Sequence, residues 1–347
     1  MTYRFACLLF VLSLGNCGSD PKFYAADHYP QRLSAWAVIS ADLSVPASSE
    51  VYELNTPLFS DYANKLRTLY LPPGHEAKYS DYEAFEFPVG TIVTKTFYYA
   101  ENELGQILID QQNTSNKRVL ETRLLVKQAN GWDALPYIWE GDDAYLAITG
   151  KLLKLETDTG KILNYLVPSK NQCASCHATD HTSGALQPIG LKARHLNRSS
   201  SGVNQLTALE NRGWLMGLPD LDALTPNADF ADTTATLDHR ARSYLDINCG
   251  HCHNAKGPAD TSGLLLDYAN QDIRALGVCK PPIAAGRGSG GFNYGIVPGQ
   301  AELSILRFRM ASEDLAAMMP ELGRSLVHTQ GMELVRDWIN QMQGECR

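Results

Sequence analysis

Nowhere in its 347 residues does the chain gather lysine and arginine into a cluster; 30 basic side chains stand against 38 acidic ones, for a formal net charge of −8. A phosphate-binding surface needs such clusters, so nucleic acid is excluded as a partner. Beyond residue 17 no apolar run is long enough to span a bilayer as a helix. Any membrane association is thereby confined to the N-terminus. No internal repeat covers the chain. Its length exceeds what one core usually serves, so two packed domains are expected after a targeting segment.

The targeting segment is residues 1–17. A lone Arg4 precedes an apolar run over 5–14, then small residues and Cys17. This is the pattern of an export signal. Residues 14–17 (LGNC) resemble a bacterial lipobox, in which Cys17 carries lipid and becomes the new N-terminus; Asn16 departs from the small residue usual there, and ordinary cleavage or a retained anchor is the other reading. Export predicts a periplasmic location, free or anchored at Cys17.

The chain beyond the targeting segment divides in three. Residues 18–170 carry short apolar and aromatic runs, such as 67–71 (RTLYL), 91–99 (TIVTKTFYY) and 122–126 (TRLLV), punctuated by 72–74 (PPG) and 88–90 (PVG). These read as an antiparallel, β-rich domain. Residues 171–232 are more polar, with a short helix expected over 205–214 and a linker over 216–232. In residues 233–347 helices are expected over 233–248 and 329–342, the second with Thr329 as N-cap and an apolar side of Leu334, Val335, Trp338 and Ile339.

Two five-residue motifs carry the chemistry. Cys173-Ala174-Ser175-Cys176-His177 and Cys249-Gly250-His251-Cys252-His253 both fit C-x-x-C-H, the attachment signature of c-type haem. Two thiols three positions apart on a helical turn reach the two vinyl groups of one porphyrin, and the histidine after them is carried beneath the iron. Two haem c groups are therefore expected, with His177 and His253 as proximal ligands. A zinc site also uses paired C-x-x-C, but the 72 residues between Cys176 and Cys249 exceed the usual ~15–20 of a zinc ribbon. A thioredoxin-like pair needs no histidine. Of the eight cysteines, Cys7 falls in the signal, Cys17 would take lipid and four take haem. Cys279 and Cys346 remain, as a disulfide in an oxidising compartment or as two buried thiols.

Met319 precedes Pro320 in a loop before the last helix, 66 residues after His253, and is the expected sixth ligand of the second iron; Met318 and Met310 are its local competitors. The stretches 244–249 (YLDINC), 257–264 (GPADTSGL), 296–299 (IVPG) and 318–324 (MMPELGR), with 55–61 (NTPLFSD) and 87–91 (FPVGT), resemble an uncharacterised family of bacterial two-haem c-type cytochromes. The C-terminal part resembles a small cytochrome c domain. The fold class so implied is α+β and multidomain, an antiparallel β-rich domain followed by an all-α cytochrome c-like domain.

The N-terminal part, from the FPVGT strand through a lysine-bearing strand to Gly131-Trp132 and the aromatic run 137–139 (YIW), resembles the β-fold cytochromes c-prime and the lysine-cross-linked haem cytochromes. That resemblance implies a five-coordinate first iron open to a small molecule, with Lys95 at the position of the lysine. The competing expectation is a six-coordinate first iron with His181, His195 or Met216 on its far side. Electron transfer with a redox partner protein in the periplasm is the expected function. A haem enzyme of oxidase or peroxidase type is the alternative, and a docking module for an exported dehydrogenase a third.

Overall fold

The computed structural model describes residues 19–111, 116–200, 202–283 and 285–347. Residues 1–17, expected to be an export signal and carrying Cys7 and Cys17, lie outside the described residues. Ten strands precede the first haem motif: β1 (Glu50–Val51), β2 (Asn64–Tyr70), β3 (Ala77–Lys78), β4 (Ile92–Glu101), β5 (Ile107–Leu108), β6 (Lys117–Gln128), β7 (Gly131–Glu140), β8 (Asp143–Leu146), β9 (Lys151–Glu156) and β10 (Ile162–Val167). Seven form one antiparallel sheet in the order β1-β2-β4-β6-β7-β8, with β5 on the far end of β4. Strands β9 and β10 make a separate hairpin, and β3 pairs in parallel with Leu215–Met216.

Alternation along the long strands assigns the two faces. Ile92, Leu124, Val126, Leu135 and Tyr137 point to one side and pack on Leu33, Trp36 and Val38 of the N-terminal segment. Trp36 is fully buried there, its indole Nε1 donating to the Tyr137 hydroxyl at 2.7 Å. Leu69, Val93, Leu125 and Ala134 point to the other side, where they share a core with Phe87, Trp132, Cys173, Leu191, Leu206 and Ile247. The first motif and residues 189–215 are thus packed onto the sheet.

Among the described residues there are six short helices: α1 (Lys170–His177), α2 (Ala193–Leu196), α3 (Gln205–Asn211), α4 (Leu237–Leu245), α5 (Ile305–Ala311) and α6 (Thr329–Gln341). The longest has 13 residues. The expectation of an all-α cytochrome c-like domain over 233–347 is therefore overturned: the molecule is mainly an antiparallel sheet with a few short helices, and between α4 and α5 the chain runs through turns. Glycines at 250, 257, 263, 277, 286, 288, 290, 291, 295 and 299 and prolines at 258, 281, 282 and 298 explain this, since neither residue type sustains a helix. Details shift as well. Thr236 caps α4, accepting from His239 N at 3.2 Å, and the helix loosens into a π turn over Asp246–Gly250. Thr329 is the first residue of α6 rather than its cap.

The C-terminal core gathers Tyr244, Leu245, Leu266, Ile296, Met310, Leu334, Val335, Trp338 and Ile339. Helices α4 and α6 touch at Gly331, where a Cβ would come within 2.3 Å of the Tyr244 ring; only glycine allows that approach. Cys279 and Cys346 are joined in a disulfide that ties the tail to this core. The segment 216–232, expected to be a linker, is a bonded strap: Ala228 O accepts from Thr56 Oγ1 at 2.7 Å and Ala228 N donates to Ser243 Oγ at 2.8 Å. Residues 55–61 hold the halves together. Asn55 Nδ2 donates to the carbonyls of Arg194 and Asn197, Phe59 N to Asn248 Oδ1 at 2.8 Å, and the Asp61 carboxylate accepts from Ser325 N and Leu326 N, each at 2.7 Å.

Candidate functional site

The first motif is delivered by a capped turn. Ser169 Oγ accepts from Gln172 N while Gln172 Oε1 accepts from Ser169 N, a reciprocal box that fixes the start of α1. One turn later Cys173 is buried, Cys176 half-buried, and His177 closes the helix. The His177 Nδ1 lies 2.7 Å from Gln187 O. A carbonyl partner places the proton on Nδ1, leaving the Nε2 lone pair free for a metal. Burial, with the nearby Lys95 charge adding to it, pushes the imidazole down to about 4, so the ring stays neutral.

The second motif is delivered by the π turn after α4. Gly250 is required there, because a Cβ would press to 2.9 Å from the Asp267 Cα, and Gly257 lies so close to the Cys252 carbonyl that a Cβ would sit 2.2 Å from it. Burial likewise pushes His253 down to about 4. Three residues before Cys249, the buried Asp246 carboxylate accepts from Arg194 Nε at 2.7 Å, Arg194 Nη2 at 3.0 Å, Asn227 Nδ2 at 2.8 Å and Tyr268 N at 3.0 Å. This network joins the first-motif segment, the strap and the second motif through a single anion.

The two motifs, far apart in sequence, meet. Cys252 Sγ lies 3.4 Å from Ser175 O, and interactions with Cys252 and His251 hold the Cys176 thiol well below its ordinary value. His251 is buried, and its Nδ1 has no partner among the described residues. A cavity lies against them. Cys173, Cys176 and His177 line it from one side, Cys249 and His251 from the other. Cys252 and His253 are not part of its lining. Among the described residues no three His, Cys, Asp or Glu side chains converge as a metal-donor set.

Met319 and Met310 line the cavity, whereas Met318 is buried behind the loop. The loop is clamped by Arg324, whose guanidinium donates to the carbonyls of Met319, Leu326, Ser312 and Arg309. Lys95 lines the cavity from β4. His181, His195 and Met216 do not. His181 Nδ1 meets the carbonyls of Lys256 and Gly257, Met216 is 42% exposed in the pairing with β3, and His195 is buried against Asp246.

Sequence reasoning missed Arg67 and Arg123, which flank Lys95 in the cavity wall, and His251 inside the second motif. The signal was a charge at a strand position whose neighbours two away are apolar, as in Arg123 before Leu125 and Lys95 between Val93 and Phe97. No protein-family model, no curated protein and no solved structure matches the chain.

Proposed function

We propose that the chain is a di-haem c-type cytochrome that passes electrons in the periplasm to and from a redox partner protein. The observation that carries the reading is the meeting of two C-x-x-C-H motifs beside one cavity, lined by Cys173, Cys176 and His177 from one side and by Cys249 from the other. Bound haem supplies a one-electron centre. In this reading Cys173 and Cys176 hold the first group and Cys249 and Cys252 the second. His177 and His253, kept neutral by burial, would offer Nε2 to the irons. Met319 would offer its thioether to the second iron, which would raise that centre's potential and close it to substrate.

A second reading is favoured by the wall at Lys95. The sequence-based candidates for a far-side ligand of the first iron, His181, His195 and Met216, all lie away from the cavity, while Arg67, Lys95 and Arg123 face into it. An open first iron acting on a small molecule, with the second haem supplying or draining electrons, fits that arrangement.

The test is the purified holoprotein. Its mass and the pyridine haemochrome spectrum should give two covalent haems per chain. No covalent haem removes both readings. Two low-spin centres indifferent to carbon monoxide support the carrier; one high-spin, ligand-binding centre supports the enzyme. Met319→Ala should turn one centre high-spin and lower its potential, and unchanged spectra would take Met319 out of the coordination sphere.

A further inference from the structure

Three cations stand side by side on the sheet wall. Arg67 on β2 is the direct cross-strand partner of Lys95 on β4, and Lys95 of Arg123 on β6. All three line the cavity. Like charges placed directly opposite on neighbouring strands repel, and a cation taken out of water costs free energy unless an anion answers it. Among the described residues one ion pair answers them. Glu121, fully buried, accepts from Arg123 Nε at 2.7 Å and from the Tyr165 hydroxyl at 2.7 Å. Arg67 is 8% exposed, yet among the described residues neither Arg67 nor Lys95 has a carboxylate partner or donates a side-chain hydrogen bond. The Lys95 ammonium rests 5.2 Å from the Phe97 ring centre, with the Arg123 guanidinium 4.4 Å from the same ring. An aromatic face softens this crowding without neutralising it. Glu121 is thus committed to Arg123, and Arg67 and Lys95 stand in the cavity wall without an ion pair of their own among the described residues.

We propose that Arg67, Lys95 and Arg123 form a binding site for a dianionic oxygen ligand, a pair of carboxylates held by an arginine fork and an ammonium. Arginine's planar fork matches a carboxylate in two parallel hydrogen bonds, and lysine adds a point charge beside it. Two sources supply that chemistry. One is the propionate pair of a haem held at Cys173 and Cys176; this source rests on the function proposed above. The other is a soluble dicarboxylate entering through the mouth of the cavity, which does not require haem. The remaining wall agrees with either, since the adjacent rung of Leu69, Val93, Leu125 and Ala134 is apolar and the cationic rung is its polar edge.

The experiment uses the full mature protein, wild type, Arg67→Gln and Lys95→Gln, with haem content measured first. Succinate binding is followed by calorimetry, because succinate is a poor ligand for haem iron and reports the cations alone. Saturable binding that weakens at least tenfold in both variants assigns the site to a soluble dicarboxylate, with or without haem present. If succinate does not bind and haem is attached, the potential of one centre should fall by at least 59 mV in each variant, a tenfold change in a one-electron equilibrium. That result assigns the site to propionates. Absence of both effects in folded protein overturns the proposal, whatever the haem content. Should Arg67→Gln fail to fold, Lys95→Gln, at a half-buried position, decides alone.

Discussion

The two regions that meet at the cavity are held together by different means. The sheet side is built from long antiparallel ladders whose two faces each bury an apolar cluster, so its rigidity comes from area and repetition. The C-terminal side has short helices joined by turns. It keeps its shape through glycines that permit close approach, side chains that bond the backbone, as Arg324 does, and one disulfide. A wall made the first way is stiff but generic. Turns made the second way follow the shape of the cavity rim, as the Met319 loop does. The cavity is therefore set against a wall on one side and closed by turns on the other.

Removing the anchor of the wall should have the largest effect. Trp36→Ala deletes a fully buried indole and its hydrogen bond to Tyr137, and should cost about 3–5 kcal/mol of unfolding free energy in urea titration. The optical spectrum of the still-folded protein should not change, since Trp36 lies on the face of the sheet away from the cavity. A spectral change would mean that wall and site are less separate than their packing implies. On the side closed by turns, Cys279→Ser with Cys346→Ser opens a loop closed over a separation of 67 residues and should cost about 2–4 kcal/mol, read as a fall in Tm. Loss of less than ~0.5 kcal/mol would show that the tail is held by its other contacts.

A smaller effect tests the junction between the two regions. His195 is pushed down to about 3, first by burial, against the pull of Asp246 and with the charges of Arg194, Lys192 and His251 adding to the burial. The unfolded chain takes up this proton near pH 6.5 and the folded protein does not. Between these values the unfolded state binds more protons, so stability falls as pH falls, by up to about 1.4 kcal/mol per unit from this group. His195→Gln should flatten the acid limb of the stability profile between about pH 6 and 4. An unchanged slope would move the titration to other buried groups.

Much of the molecule was legible because its signals are local. The runs at 67–71, 91–99 and 122–126 fall on β2, β4 and β6, since alternation and turn residues are written within a few positions. The C-x-x-C-H spacing likewise needs no fold to be read. The all-α expectation failed because a haem motif was taken to bring its usual helical surroundings with it, while the glycines between 250 and 299 specify turns. The cationic rung was illegible for another reason. Arg67, Lys95 and Arg123 each look like a solvated edge charge until strand register makes them neighbours, and register is a property of the paired sheet.

Asp246 also imposes an order in time. A chain made from its N-terminus presents Arg194, His195 and Asn227 before the carboxylate that answers them exists. Until then the segment that backs the first motif holds a guanidinium it cannot bury. The second motif begins three residues after that carboxylate, so the step that completes the first half also sets the second in place.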